Sequence, residues 1–152
     1  MMDATMNAGS GSAAKAPWHL WVIGGVSLLW NAVGVMSFSM TSFGNLESTG
    51  MPAEHIAYYS SFPMWAKVVW AMGVFGCFLG SLALLFKSRH AVLLFAISIV
   101  GLIATTVYQW GLSDAPADLK TGGNIALSAA IWIITIGLFM YARRQQVSGV
   151  LK

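Results

Sequence analysis

The sequence predicts an all-α membrane protein, an antiparallel four-helix transmembrane bundle with both termini in the cytoplasm. Three observations carry that expectation. Hydrophobic residues make up 57% of the chain and charged residues only 9%, whereas a soluble domain has roughly a quarter of its residues charged. The apolar residues fall in four long runs, the clearest being Phe62–Phe86 with the single charge Lys67. At ~1.5 Å rise per residue, a helix of that length outreaches the ~30 Å hydrocarbon core of a bilayer. Finally, Lys15, Lys87, Arg89, Arg143, Arg144 and Lys152 lie on one side of the expected spans and Lys120 on the other. Cytoplasmic segments carry the excess of Lys and Arg, which sets the orientation.

Taken in order, residues 1–16 are rich in Ala, Gly and Ser and read as a mobile cytoplasmic tail. The apolar segment that follows is too long for the core of a secretory signal and has no small-residue cleavage site after it. A four-helix transmembrane domain is expected over 17–143, with a second cytoplasmic tail at 144–152.

Span 1 is expected at about 18–41, opened by Pro17, with Trp18, His19 and Trp21 as its interfacial belt. Gly24, Ser27, Asn31, Gly34 and Phe38 share one face at ~100° per residue. An amide near mid-membrane is costly unless paired, so Asn31 should point into the bundle. The loop 42–61 carries Glu47 and Glu54, and Pro52-Ala53-Glu54 reads as a helix start. That helix is expected to lay Ile56, Tyr58 and Tyr59 along the membrane surface.

Span 2, about 62–86, places Gly73, Gly76, Cys77 and Gly80 on one side as a helix-packing face, which also offers a surface for an oligomer. Lys67 is a candidate functional cation because it is ionisable and within a span, yet its shallow position also suits snorkelling to the headgroups. Span 3, about 91–112, clusters Ser98, Gly101, Thr105, Tyr108 and Gln109, and span 4, about 123–141, clusters Asn124, Ser128, Trp132 and Thr135. Ser27, Asn31, Thr105, Ser128 and Thr135 are therefore candidates for a polar pocket; interhelical hydrogen bonding is the alternative use of the same residues. Trp30, Trp70 and Trp132 lie deep enough to line a ligand cavity or to fill the core.

Several classes are disfavoured. The net charge of +3 comes from span ends, not from a basic patch interleaved with aromatics, so nucleic acid is not an expected partner. One cysteine, Cys77, makes neither a disulfide scaffold nor a dithiol oxidoreductase. His19, His55 and His90 sit at span ends, where they cannot face each other as haem ligands. Glu54 and His55 are adjacent and lack the i, i+4 spacing of a two-ligand metal site, so no metal or cofactor is expected. No nucleophile has a base placed by sequence, and no enzyme is expected.

The stretches PWHLWVIGGVSLLWNAVG (17–34), YYSSFPMWAKVVWAMGVFGCFLGSLALLF (58–86) and AVLLFAISIVGLIATTVYQ (91–109) resemble a family of small four-span bacterial inner-membrane proteins often labelled "sugar transporter". The resemblance implies a multi-pass protein of the bacterial inner membrane. Relatives carry a Phe-Asp-Tyr-like triplet at the outer end of span 1, where this chain reads Met36-Ser37-Phe38, so any role that rests on that acid does not carry over. The small multidrug-resistance transporters, which place a glutamate in their first span, are a poorer match because span 1 here has no acid. The leading functional expectation is a non-enzymatic accessory or interaction subunit of a membrane complex, with lipid, a second copy or another membrane protein as partner. The alternative is a small-solute, sugar-like transporter acting as an oligomer. An enzyme acting on lipid or quinone ranks last.

Overall fold

A computed structural model describes residues 14–152. Most of the expected N-terminal tail, residues 1–13, lies outside the described residues. Helix α1 spans Trp18–Phe43, a short α2 spans Ala53–Ser60, α3 Met64–Leu85, α4 His90–Val107 and α5 Gly122–Val147. A π-helical turn, Tyr108–Leu112, prolongs α4. No strand occurs among the described residues, and four helices are long and apolar enough to cross a membrane. Their outward faces carry Val26, Leu29, Val33, Ile97, Val100 and Ile133 in the open. Such a surface is stable against lipid and an aggregation hazard in water.

Helix α3 is the centre of the molecule, packed most extensively on α4 and next on α1, while α5 packs on α4. Glycine makes the α3–α4 contact possible. A β-carbon on Gly76 would lie 3.0 Å from the Leu94 carbonyl and one on Gly80 would lie 2.9 Å from the Phe95 ring. Gly73 lies against the Gly101–Leu102 backbone. The helix-packing face Gly73, Gly76 and Gly80 is thus occupied by α4 of the same chain. This corrects the expectation that it is available to a second copy; the tight α3–α4 turn delivers α4 to it first.

Both α3 and α5 end in the same hydrogen-bonded motif, built on two different residues. In α3, Ser88 N–H donates to the Ala83 carbonyl and Lys87 N–H to the Leu84 carbonyl, with Lys87 in the left-handed region at φ 56°. In α5, Val150 and Gly149 donate to Gln145 and Gln146, with Gly149 at φ 77°. Glycine is the usual occupant of such a position. Lysine there costs roughly 1 kcal/mol, and its ammonium sits 5.9 Å from the centre of the Trp21 ring, a cation–π separation.

The motif on α5 also alters the expected C-terminus. The sequence places span 4 at about 123–141, yet Arg143, Arg144, Gln145 and Gln146 are good helix formers and extend α5 to Val147. The chain then turns at Gly149 and returns. Val150 and Leu151 join a buried cluster with Leu20, Leu84, Ala91, Phe95 and Ala142. Lys152 N–H donates to the Lys87 carbonyl and its own carbonyl accepts from Arg89 N–H, both at 2.9 Å. Residues 144–152, expected as a tail, therefore belong to the folded body.

At the opposite end, α2 packs on the bundle. Its Tyr58 and Tyr59 fold over the bundle, where Tyr58, Phe62, Ala66 and Tyr108 form a second buried cluster against Trp70. The Tyr58 hydroxyl bonds the Ser113 hydroxyl at 2.9 Å and His55 meets Asp118 at 2.6 Å, so the two long loops clasp each other. Burial pushes both tyrosines above their ordinary pKa, with the Ser113 bond partly opposing the shift on Tyr58. The stability they contribute is therefore present below the ordinary tyrosine pKa and is lost as pH rises through the raised value.

Replacing Gly76 or Gly101 by leucine should destabilise the protein by roughly 1–3 kcal/mol, the usual cost of overpacking. Gly25, where an added β-carbon would meet no atom within 4 Å, should accept leucine with little change. Thermal unfolding in detergent, followed by loss of helical circular dichroism, separates the two outcomes.

Candidate functional site

The four long helices do not close evenly. Helix α5 buries Thr135, Leu138 and Ala142 in its second half and nothing in its first. At the basic end α1 and α5 are joined by a 2.6 Å hydrogen bond between His19 Nδ1 and the Tyr141 hydroxyl. Beyond Thr135 the first half of α5 stands off from α1 and α3. The space between them is a cavity of about 400 Å³, within the ~300–1,000 Å³ range of small-molecule pockets.

Its floor is a polar layer that ties all four helices. The Asn31 amide on α1 donates to the Cys77 carbonyl at 3.3 Å and to the Ser81 hydroxyl at 3.0 Å, both on α3. The Ser98 hydroxyl on α4 lies 3.0 Å from Cys77 Sγ and also reaches the Gly73 carbonyl. The Cys77 thiol in turn lies 3.6 Å from the Thr135 hydroxyl on α5. These groups must find partners inside the protein because hydrocarbon offers none. The layer is thus both glue and floor.

Aromatic rings form the walls: Trp30 from α1, Trp70 from α3, Trp110 from the π-helical turn, Trp132 from α5, and Tyr59 from α2. Tyr59 stacks on Trp70 with ring centres 6.1 Å apart and planes at 27°. Gln109, Asn124 and Lys120 line the cavity towards the acidic loops. The wide turn Tyr108–Leu112 matters here, because a π-helical turn re-aims side chains that a regular α-helix would place elsewhere. It is what presents Gln109 and Trp110.

Of the pocket residues read from sequence, Asn31, Thr105, Ser128 and Thr135 all line this one cavity. Ser27 does not join them. Its hydroxyl donates to the Gly24 carbonyl at 3.0 Å, and it faces a shallow apolar groove between α1 and α5 with Val22 and Leu138. Lys67 is also elsewhere, half-buried one turn into α3 and without an ion-pair partner among the described residues. The outer-loop residues converge only in part: His55 pairs with Asp118, whereas Glu54 and Asp114 are exposed. No group of three His, Cys, Asp or Glu side chains gathers among the described residues. Sequence reasoning missed Cys77, Tyr59, Trp110 and Lys120 as lining residues. Ser98, Gln109 and Asn124 did share the predicted polar faces of spans 3 and 4.

No protein-family model, curated protein or solved structure matches this chain.

The sole cysteine lies on the cavity floor, 5% exposed, which makes it a built-in reporter of access. A small uncharged maleimide should modify Cys77 in the folded protein in detergent. Filling the cavity by Ser128→Trp should slow that reaction about tenfold or more while leaving the thiol's own chemistry alone. Mass spectrometry of timed samples reads the rate, and equal rates in the two proteins would count against an open cavity.

Proposed function

We propose that this protein is a non-enzymatic, antiparallel four-span protein of the bacterial inner membrane that binds a small solute in its central cavity and carries it. The carrying observation is the cavity itself, floored by Asn31 and walled by tryptophans. An accessory subunit holding its helices together by hydrogen bonds would be expected to have a dry interior, and that distinction favours the solute-binding reading. The contacts Gly73–Gly101 and Gly80–Phe95, and likewise Asn31–Ser81 and Gly24–Leu85, support neighbouring helices running in opposite directions.

Orientation follows from charge. Lys87, Arg89, Arg143, Arg144 and Lys152 gather at one end, and Glu47, Glu54, Asp114 and Asp118 are at the other. The positive-inside rule assigns the first end, with both termini, to the cytoplasm. The cavity then lies in the outer half of the bundle and the buried Leu20–Leu84–Phe95 cluster closes the inner half. That is the arrangement of a carrier open to one side. A pathway through to the cytoplasm requires the inner half to part, and the His19–Tyr141 bond is one of the contacts between α1 and α5 that would have to break.

Reconstituted into liposomes, the protein should give saturable flux of a neutral solute above that of protein-free vesicles. Ser128→Trp should abolish it, whereas Lys67→Ala, which leaves the cavity lining unchanged, should not. An absence of both binding and flux across a broad panel of neutral, cationic and anionic solutes would remove the proposal. Tags at both termini should be protected from protease in intact spheroplasts, and a tag inserted at Gly50 should be cleaved.

A further inference from the structure

The floor of the cavity offers hydrogen-bond acceptors and no free donors. Thr105 spends its hydroxyl proton on the Gly101 carbonyl at 2.8 Å, Thr135 on the Ile131 carbonyl at 2.7 Å, and Ser98 on the Gly73 carbonyl. Threonine and serine in a membrane helix commonly satisfy themselves this way. These three hydroxyls then present only oxygen lone pairs to the cavity, while the donors of Gln109, Lys120 and Ser128 line it elsewhere.

Asn31 makes the same offer more strongly. Its amide nitrogen is committed to the Cys77 carbonyl and the Ser81 hydroxyl. A carbonyl can only accept, so the nitrogen must be the atom facing Cys77, and the orientation of the amide follows from chemistry. The other end of the amide, Oδ1, has no hydrogen-bond partner among the described residues, although Asn31 is only 9% exposed. Nor is that oxygen sealed away: the unpartnered and fully buried side-chain oxygen among the described residues is on Ser42. Since Asn31 lines the cavity, its Oδ1 is an unfilled acceptor on the cavity's polar floor. Leaving such a group without a partner in a low-dielectric site is unfavourable.

Charge narrows the occupant. No carboxylate lines the cavity, and its one ionisable cation is Lys120. A cationic ligand would lose its hydration with no counter-charge to replace it. An anion would meet a floor made of lone pairs. The faces of Trp30, Trp70 and Trp132 suit an apolar body.

Resting on the solute-binding reading above, we infer that the cavity selects an uncharged molecule bearing a hydroxyl, whose O–H donates to Asn31 Oδ1 and whose apolar body lies between the tryptophans.

The test compares matched probes by quenching or shift of tryptophan fluorescence in the full chain in nanodiscs. Cyclohexanol and phenol are paired with methoxycyclohexane and anisole, which keep the body but cannot donate. Cyclohexylammonium and benzoate supply the two charges. The alcohols should bind saturably and the ethers about tenfold or more weakly, with both ions weaker than the alcohols. Asn31→Leu should bring the alcohols to the level of the ethers. Should that variant fail to fold, the alcohol–ether difference in the unaltered protein still decides, and Thr105→Val, which leaves the Asn31 acceptor in place, should preserve it. If ethers or cyclohexylammonium bind as tightly as the alcohols, and Ser128→Trp abolishes all of it, the hydroxyl inference fails and solute binding stands. If no probe binds saturably and Ser128→Trp changes nothing, solute binding in the cavity fails as well.

Discussion

In hydrocarbon no water stands by to satisfy a polar group, and the interior of this protein is arranged around that single constraint. The side chain that feels it most is Asn31, an amide placed midway along an apolar helix. Its two donors are absorbed by α3, through the Cys77 carbonyl and the Ser81 hydroxyl, and Ser81 itself donates to the same carbonyl at 3.0 Å. The bonds fix the rotation of α1 about its axis, since turning it by one residue would strand the amide. From that level Ser98, Cys77 and Thr135 extend the connection across α4 and α5. Each such bond is worth roughly 0.5–1.5 kcal/mol in a membrane. Their value lies as much in specifying register as in strength.

Packing is divided between close contact and opening. Between α3 and α4, glycines let backbones approach until a methyl group would collide, and dispersion contacts accumulate accordingly. Between the first half of α5 and helices α1 and α3 the opposite holds: large indole rings line an open gap where no glycine seam closes it. Trp132 on α5 and Trp30 on α1 line the gap between these two helices, and side chains of that bulk preclude near backbone contact where they stand. The cavity is thus a product of residue size, small on one seam and large on the other.

Much of this was legible in the sequence. The four apolar runs appear as four long helices, and Pro52 does open a helix. Of the predicted face Gly24, Ser27, Asn31, Gly34 and Phe38, all but the half-buried Gly34 are buried on α1, because a helix of uninterrupted geometry keeps its periodicity over many turns. Gathering Asn31, Thr105, Ser128 and Thr135 onto one cavity needed only that each polar face turn inward. What failed has physical causes too. Ser27 shares the Asn31 face but sits one turn nearer the sealed end, a difference in depth that angular position cannot express. Trp110 depends on a π-helical turn, which breaks the 3.6-residue period on which such readings rest. The return of Val150 and Leu151 depends on Gly149 at positive φ, and a short apolar pair after a basic helix end carries no periodicity to read. Tyr59 and Lys120 come from segments outside the long helices, whose paths are set by the tertiary clasp of His55 and Asp118.

The asymmetric seating of α5 ties the molecule to the mechanics of its surroundings. The helix has 26 residues and so is about 39 Å long, but its last turn is the polar stretch Arg143, Arg144, Gln145 and Gln146, and the apolar part before it matches a ~30 Å hydrocarbon core. Leu138, Ala142 and Tyr141 seat one half of α5 and no residue of the other half is buried, so the angle of that half sets the width of the gap beside Trp132. A force that tips that loosely seated half would change the room beside Trp132 and leave the basic end undisturbed.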